Sequence, residues 1–125
     1  HKIHRAKELG QTTVDIWGDG NARREFMCAK DLADFIFFTI PRLEKMPQNL
    51  NVGLGFDHSI LEYYEAVAEV LEYSGEFHYD LSKPVGMQRK LVDTTQLSAF
   101  GWTHKTDLNS GIREAYEFYE AGNKK

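Results

Sequence analysis

The sequence predicts an α/β fold of short strands packed with helices, and three observations carry that prediction. Residues 12–17 run through β-branched and aromatic side chains with alternation, as a half-buried strand does. Ser59 stands three positions before Glu62 at the head of an apolar-periodic run, the spacing of a reciprocal helix cap. Leu50-Asn51-Val52 and residues 76–79 supply two more short strands, so strands are separated by helices.

The elements follow in order. Residues 1–9 read as the middle of a helix that Gly10 stops. The chain opens in mid-pattern without a Met, so it is read as a piece whose N-terminal portion lies upstream. After the first strand, Gly18, Asp19, Gly20 and Asn21 are turn residues, and residues 24–28 form a short extended piece. Asp31 is placed to cap a helix over 32–42. That helix carries Leu32, Ala33, Phe35, Ile36, Phe37, Phe38 and Ile40, so it is apolar on nearly all sides and is expected to be deeply buried or to face a partner. Pro41 and Pro47 bracket its exit. In the helix that Ser59 opens, Ile60, Tyr64, Val67, Ala68 and Leu71 share a face, Glu62, Glu65, Glu69 and Glu72 lie mostly opposite, and Gly75 ends the segment. Residues 82–86 are a Pro/Gly loop. A short helix over 94–100 is capped by Gly101, Asp107 caps a last helix with Leu108, Ile112, Ala115, Tyr116 and Tyr119 on one face, and the tail 122–125 is expected to fray.

Composition narrows the function. With 125 residues, 42% hydrophobic and 27% charged, the chain has enough apolar side chain for one core. A net charge of −4 argues against a general nucleic-acid binder, and no apolar run is long enough to span a membrane. The single Cys28 forms no internal disulfide, which fits a reducing cytoplasm.

Against that acidic background the cations stand out. Arg23-Arg24 follow one Gly-rich turn, Arg89-Lys90 follow the Pro/Gly loop, Lys83 lies between, and Lys2 is on the first helix. Adjacent cations in loops suit an anion, because a guanidinium holds a phosphate through two parallel hydrogen bonds. The alternative is surface cations paired with glutamates. Other patterns carry less. Gly53-Leu54-Gly55 lacks the third glycine of a dinucleotide loop and reads as a tight turn. Tyr79 and Lys83 have the YxxxK spacing of a catalytic pair, but Pro84 keeps Lys83 out of a helix. The five histidines lack metal-ligand spacing beyond His1 and His4, and Cys28 reads as packed rather than nucleophilic. Trp17 offers a face to a base or sugar, core packing being the alternative.

The motifs Trp17-Gly18-Asp19-Gly20, Arg23-Arg24-Glu25-Phe26, Asp31-Leu32-Ala33-Asp34, Asn51-Val52-Gly53-Leu54-Gly55, Asp80-Leu81-Ser82-Lys83-Pro84, Arg89-Lys90-Leu91-Val92-Asp93 and Phe100-Gly101-Trp102 come in one order across the chain. In that order they resemble the second half of the GDP-L-fucose synthase family of extended short-chain dehydrogenases/reductases. The resemblance implies that residues 1–125 are the C-terminal substrate-binding domain of a nucleotide-sugar epimerase/reductase with an NAD(P)-binding Rossmann-like fold, whose Rossmann core lies upstream. It puts Lys2, Trp17, Arg24 and Lys90 on substrate-contact positions, Arg24 at the diphosphate. Glu76 stands where the family often has an Arg, and is expected to accept from a guanine or ribose hydroxyl. No catalytic, cofactor-binding or metal-binding residue falls in this chain. NADP is expected on the upstream domain, the substrate is a GDP-4-keto-6-deoxy sugar, the full enzyme is expected to be a cytoplasmic homodimer, and this piece alone is expected to be inactive. The alternatives are a stand-alone nucleotide-sugar binding module without catalysis, a related GDP-deoxy-heptose reductase/epimerase, and a structural or oligomerisation domain.

Overall fold

Alternation in the first strand decides where the core begins. The computed structural model describes residues 1–123, so the last two positions of the expected fraying tail lie outside the described residues. Strand β1 (Thr13–Trp17) turns Val14 and Ile16 inward, Ile16 being 0% exposed, and Thr13, Asp15 and Trp17 outward. It pairs in parallel with β4 (Glu76–Asp80), Thr13 opposite Glu76 and Trp17 opposite Asp80. Parallel neighbours need a long crossover, and here everything between them is that crossover. It holds β2 (Arg23–Arg24), helix α2 (Ala29–Thr39), a 3₁₀ helix (Ile40–Lys45), β3 (His58–Ser59) and helix α3 (Ile60–Val70). A second sheet has the order β3-β2-β5, with β5 (Arg89–Lys90) parallel and β3 antiparallel to β2.

Helices α1 (Lys2–Glu8), α3 and α5 (Leu108–Asn123) pack on the inward face of the β1–β4 pair. Ile3, Ala6, Val14 and Leu71 form the buried cluster there, with Tyr64, Val67, Phe77 and Tyr116 packed against it. A second cluster joins Phe35 of α2 to Leu97 of α4 (Thr95–Phe100) and to Trp102. The expected α/β class holds, and α1, β1, β4, α4 and α5 fall where the sequence places them. The cap on α3 is complete: Ser59 Oγ accepts from Glu62 N–H at 3.0 Å and Glu62 Oε2 accepts from Ser59 N–H at 2.6 Å.

Several expectations are corrected. Helix α2 starts at Ala29 with Cys28 as N-cap, so Asp31 does not cap it. Asp31 is 2% exposed and its carboxylate turns outward from its own helix, accepting from Lys105 N–H, Thr106 N–H and the Thr106 hydroxyl. A carboxylate one turn into a helix caps whichever backbone N–H groups packing brings to it, and here that is the loop before α5. Pro41 does not break the chain into a loop; it sits in the first turn of the 3₁₀ helix, where it has no N–H to forfeit. Leu50-Asn51-Val52 is not a strand: it finds no strand to pair with, and Leu50 and Val52 pack on the Phe35 cluster instead. The extended piece expected at 24–28 is only β2, while β3 and β5 appear unannounced. Helix α3 ends at Val70 with Leu71 as its C-cap, before Gly75, and Glu72 takes a φ of +52°. The final helix runs on through Gly122.

Candidate functional site

The end of β1 makes the site. Gly18 and Gly20 take φ values of +78° and +74°, which turn the chain sharply after Trp17. The turn leaves no room for a side chain, because a Cβ on Gly18 would stand 2.9 Å from Val85 Cγ2. The Pro/Gly loop therefore closes over the turn. Lys2 of α1 donates to the Asp15 carbonyl at 2.9 Å, which brings its ammonium to 4.8 Å from the Trp17 ring centroid. Lys83 approaches the same ring at 5.9 Å. Trp17 itself is 61% exposed, so the core-packing alternative is excluded for it. Arg24 reaches in from β2, held by a bond from its Nη1 to the Arg23 carbonyl at 2.7 Å. Together Lys2, Trp17, Gly20, Ala22, Arg24, Ile60, Tyr64, Pro84 and Val85 line a cleft of about 370 Å³. A second hollow of about 650 Å³ shares Lys2 and Trp17 and adds Arg5.

The cations divide into two groups. Among the described residues, Arg23 and Arg89 pair with Asp57, Lys30 with Glu114 and Lys105 with Asp34. Lys2, Arg24, Lys83 and Lys90 have no carboxylate partner among the described residues, a property they share with Arg5, Lys7, Arg42, Lys45 and Arg113, and what sets Lys2, Arg24 and Lys83 apart is their place at the Trp17 cleft. Asp57 is 7% exposed; Arg23 and then Arg89 hold its carboxyl below the ordinary range, and its hydrogen bond in turn raises the Arg23 guanidinium. Pairing with carboxylates therefore describes Arg23, Arg89, Lys30 and Lys105 and does not describe Lys2, Arg24, Lys83 and Lys90.

Of the residues predicted from sequence, the structure gathers Lys2, Trp17 and Arg24 at one cleft. Lys90 is exposed and is the register partner of Arg24, roughly 4.8 Å away across parallel strands and on the same face of the sheet. Glu76 is not brought in. It faces Thr13 at the start of β4, about 13 Å of strand from the Trp17 end, and lines a separate hollow with Lys7, Gln11 and Tyr73. That hollow is larger, about 560 Å³, but has no comparable set of free cations. Sequence reasoning missed Asp57 altogether, since nothing in spacing links it to arginines 34 and 32 positions away.

Two other patterns are settled by geometry. The Gly53-Leu54-Gly55 turn does present N–H groups to an anion, but the anion is internal. Glu25 accepts from Leu54, Gly55 and Val92 N–H, and a Cβ on Gly53 would stand 2.5 Å from Glu25 Oε1. This turn does not fit the pyrophosphate of a dinucleotide. Tyr79 lies in β4 and Lys83 in the turn after it, so they share no helical face. Among the described residues no group of three or more His, Cys, Asp or Glu side chains is placed to hold a metal ion, and no helix is long and apolar enough to cross a membrane.

Comparison with known proteins gives one consistent picture. Residues 1–53 match the model of the NAD dependent epimerase/dehydratase family. A GDP-L-colitose synthase of Yersinia pseudotuberculosis is 60% identical over 118 residues, covering 94% of this chain and 38% of that protein. A GDP-L-fucose synthase of Azorhizobium caulinodans is 52% identical over 122 residues, 98% of this chain and 39% of that protein. The solved structure of a GDP-mannoheptose C4 reductase from Campylobacter jejuni with NADP bound superposes with a TM-score of 0.77 at 32% identity, over 95% of this chain and 40% of that one. The chain thus spans about two-fifths of the length of the relatives it matches.

Proposed function

We propose that this chain, which belongs to the GDP-L-fucose synthase-like group of extended short-chain dehydrogenases/reductases, grips the GDP-sugar substrate of an NADP-dependent GDP-4-keto-6-deoxy-sugar epimerase/reductase. The observation that supports this most is the set of cations without carboxylate partners at the Trp17 cleft. Arg24 takes the diphosphate, its planar guanidinium matching phosphate oxygens through paired hydrogen bonds. Lys2 and Lys83 add charge beside it, Lys90 extends the cationic face, and the exposed ring of Trp17 offers a stacking surface to a base or sugar. The chain's part in turnover is grip and orientation, which turn an encounter into a positioned reactant. Glu76 stands outside this set.

In this reading residues 1–125 are the C-terminal substrate-binding domain of a longer enzyme. The exposed apolar stripe Leu32, Ile36, Phe37, Ile40 and Leu43 supports it, as the face against which the remainder packs. The dinucleotide belongs to that remainder, since the Gly53-Leu54-Gly55 turn here is already filled by Glu25. A second reading keeps the chemistry and changes the sugar. It is favoured by the higher identity to a GDP-L-colitose synthase and by the likeness to a heptose reductase.

The test is to express the complete reading frame that carries this chain and follow NADPH oxidation with GDP-4-keto-6-deoxy-mannose and related GDP-keto sugars. Turnover is expected from the complete protein and not from residues 1–125, with KM raised about tenfold or more by Arg24→Ala, a loss of about 1.4 kcal/mol. A complete reading frame that begins within a few residues of His1, or turnover indifferent to Arg24→Ala, would overturn the reading.

A further inference from the structure

The cations of the second sheet come in adjacent pairs, Arg23 with Arg24 and Arg89 with Lys90. A strand alternates its faces, so one member of each pair turns toward the cleft and the other away. Register decides which, and a one-residue slip reverses the choice. Yet β2, β3 and β5 are two residues long, and ladders that short do not hold a register alone.

What stands at this point is one buried carboxylate. Asp57 directly precedes β3. Its Oδ1 accepts from Arg23 Nε at 2.6 Å, its Oδ2 accepts from Arg89 Nε at 2.5 Å, and its carbonyl accepts from Arg23 Nη2 at 2.7 Å. Arg23 and Arg89 are direct register partners, and Arg23 is also the partner of Ser59. A single side chain thus ties all three strands at one rung, leaving Arg24, Lys90 and His58 on the next rung with the opposite facing. Slipping β5 would offer Asp57 the ammonium of Lys90, which has no directional Nε–H to match the second carboxylate oxygen.

We propose that Asp57 is a positioning residue that keys the register of this sheet and so commits Arg24 and Lys90, rather than Arg23 and Arg89, to the substrate anion. The proposal rests on the GDP-sugar reading of the cleft and adds the device that selects between chemically equivalent neighbours. It also assigns Arg23 and Arg89 a purely structural part.

The experiment follows the arginine Nε–Hε resonances of the ¹⁵N-labelled chain during a titration with GDP at millimolar concentration. In the unmutated chain the Arg24 signal is expected to move saturably while those of Arg23 and Arg89 stay fixed and exchange slowly. In Asp57→Asn, with folding checked by circular dichroism, slow exchange at Arg23 and Arg89 is expected to vanish, Arg23 to begin responding, and GDP affinity to fall about tenfold. Arg89→Gln, which removes one arm of the tie, serves should Asp57→Asn fail to fold, and is expected to weaken GDP about threefold. Movement of Arg23 or Arg89 as large as that of Arg24 in the unmutated chain would overturn the assignment. So would an Asp57→Asn chain with unchanged affinity and only Arg24 moving, and that result would leave the GDP-sugar reading standing. Silence from every arginine would take down the GDP-sugar reading and this inference with it.

Discussion

The two hydrophobic clusters end differently. Around Ile3, Ala6, Val14 and Leu71, helices α1, α3 and α5 close over the inward face of β1 and β4, and His4 and Lys30 tether α5 from α1 and α2 through Tyr116 and Glu114. Around Phe35, Leu97 and Trp102, α2 is covered on one side only, and Phe37 on its other side is 73% exposed. The cleft lies on the closed half, where Trp17 and Lys2 are carried by elements that pack on the first cluster. Binding groups are carried by elements anchored in the first cluster, and the open half is shaped like one side of an interface.

The sharpest way to break this comparison is a pair of truncations. Ile16→Ala, at a fully buried site, is expected to lower unfolding stability by about 2–5 kcal/mol, read as a fall in the urea midpoint. If Phe37→Ser cost as much, the open face would not be open. Ser59→Ala removes one side of a complete cap and is expected to cost about 1 kcal/mol by the same measurement.

Acid probes one aspartate in each half. Asp57 on the cleft side is held below the usual carboxylate range by Arg23 and then Arg89, and Asp34 on the α2 side by Lys105 and then Trp102. A carboxylate whose folded pKa is depressed stabilises above its unfolded value, near 4, and loses that contribution as pH falls through the folded value. The urea midpoint is therefore expected to hold from pH 7 down to about 5 and to drop below about 4. Asp57→Asn and Asp34→Asn should each make that drop shallower, and an unchanged drop in both would separate acid lability from these pairs. The smallest effect on stability is expected from Phe37→Ser, within about 0.5 kcal/mol, accompanied by less self-association in sedimentation.

What could be read from the sequence was local. The Ser59–Glu62 cap, the αL stop at Gly101 and the Asp107 bonds to Ser110 each lie within a few residues, and all three stand as read. What could not be read was set from far along the chain. A two-residue strand has no period to detect, so β3 and β5 became visible only through Asp57 and Glu25, which reach across the fold. Asp31 illustrates the same limit from the other side: its spacing suits a cap, and its actual partners are more than 70 positions away. For the cleft, the residues alone pointed to cation pairs in two loops with Lys83 between and Lys2 on the first helix, and the family resemblance chose Lys2, Trp17, Arg24, Lys90 and Glu76, of which the first three meet at one cleft. Glu76, which the resemblance also chose, begins β4 opposite Thr13, away from the Trp17 end, a placement that parallel pairing sets and local sequence does not announce.

The most direct measurement is a GDP titration of this chain, following the fluorescence of exposed Trp17 with buried Trp102 as the internal reference, at low and high salt. The account predicts saturable quenching that weakens as salt rises, is lost in Trp17→Phe, and shifts about tenfold or more to higher GDP in Arg24→Ala but not in a Lys30→Ala control, a difference of about 1.4 kcal/mol. Equal binding by the Arg24→Ala and unmutated chains would contradict it.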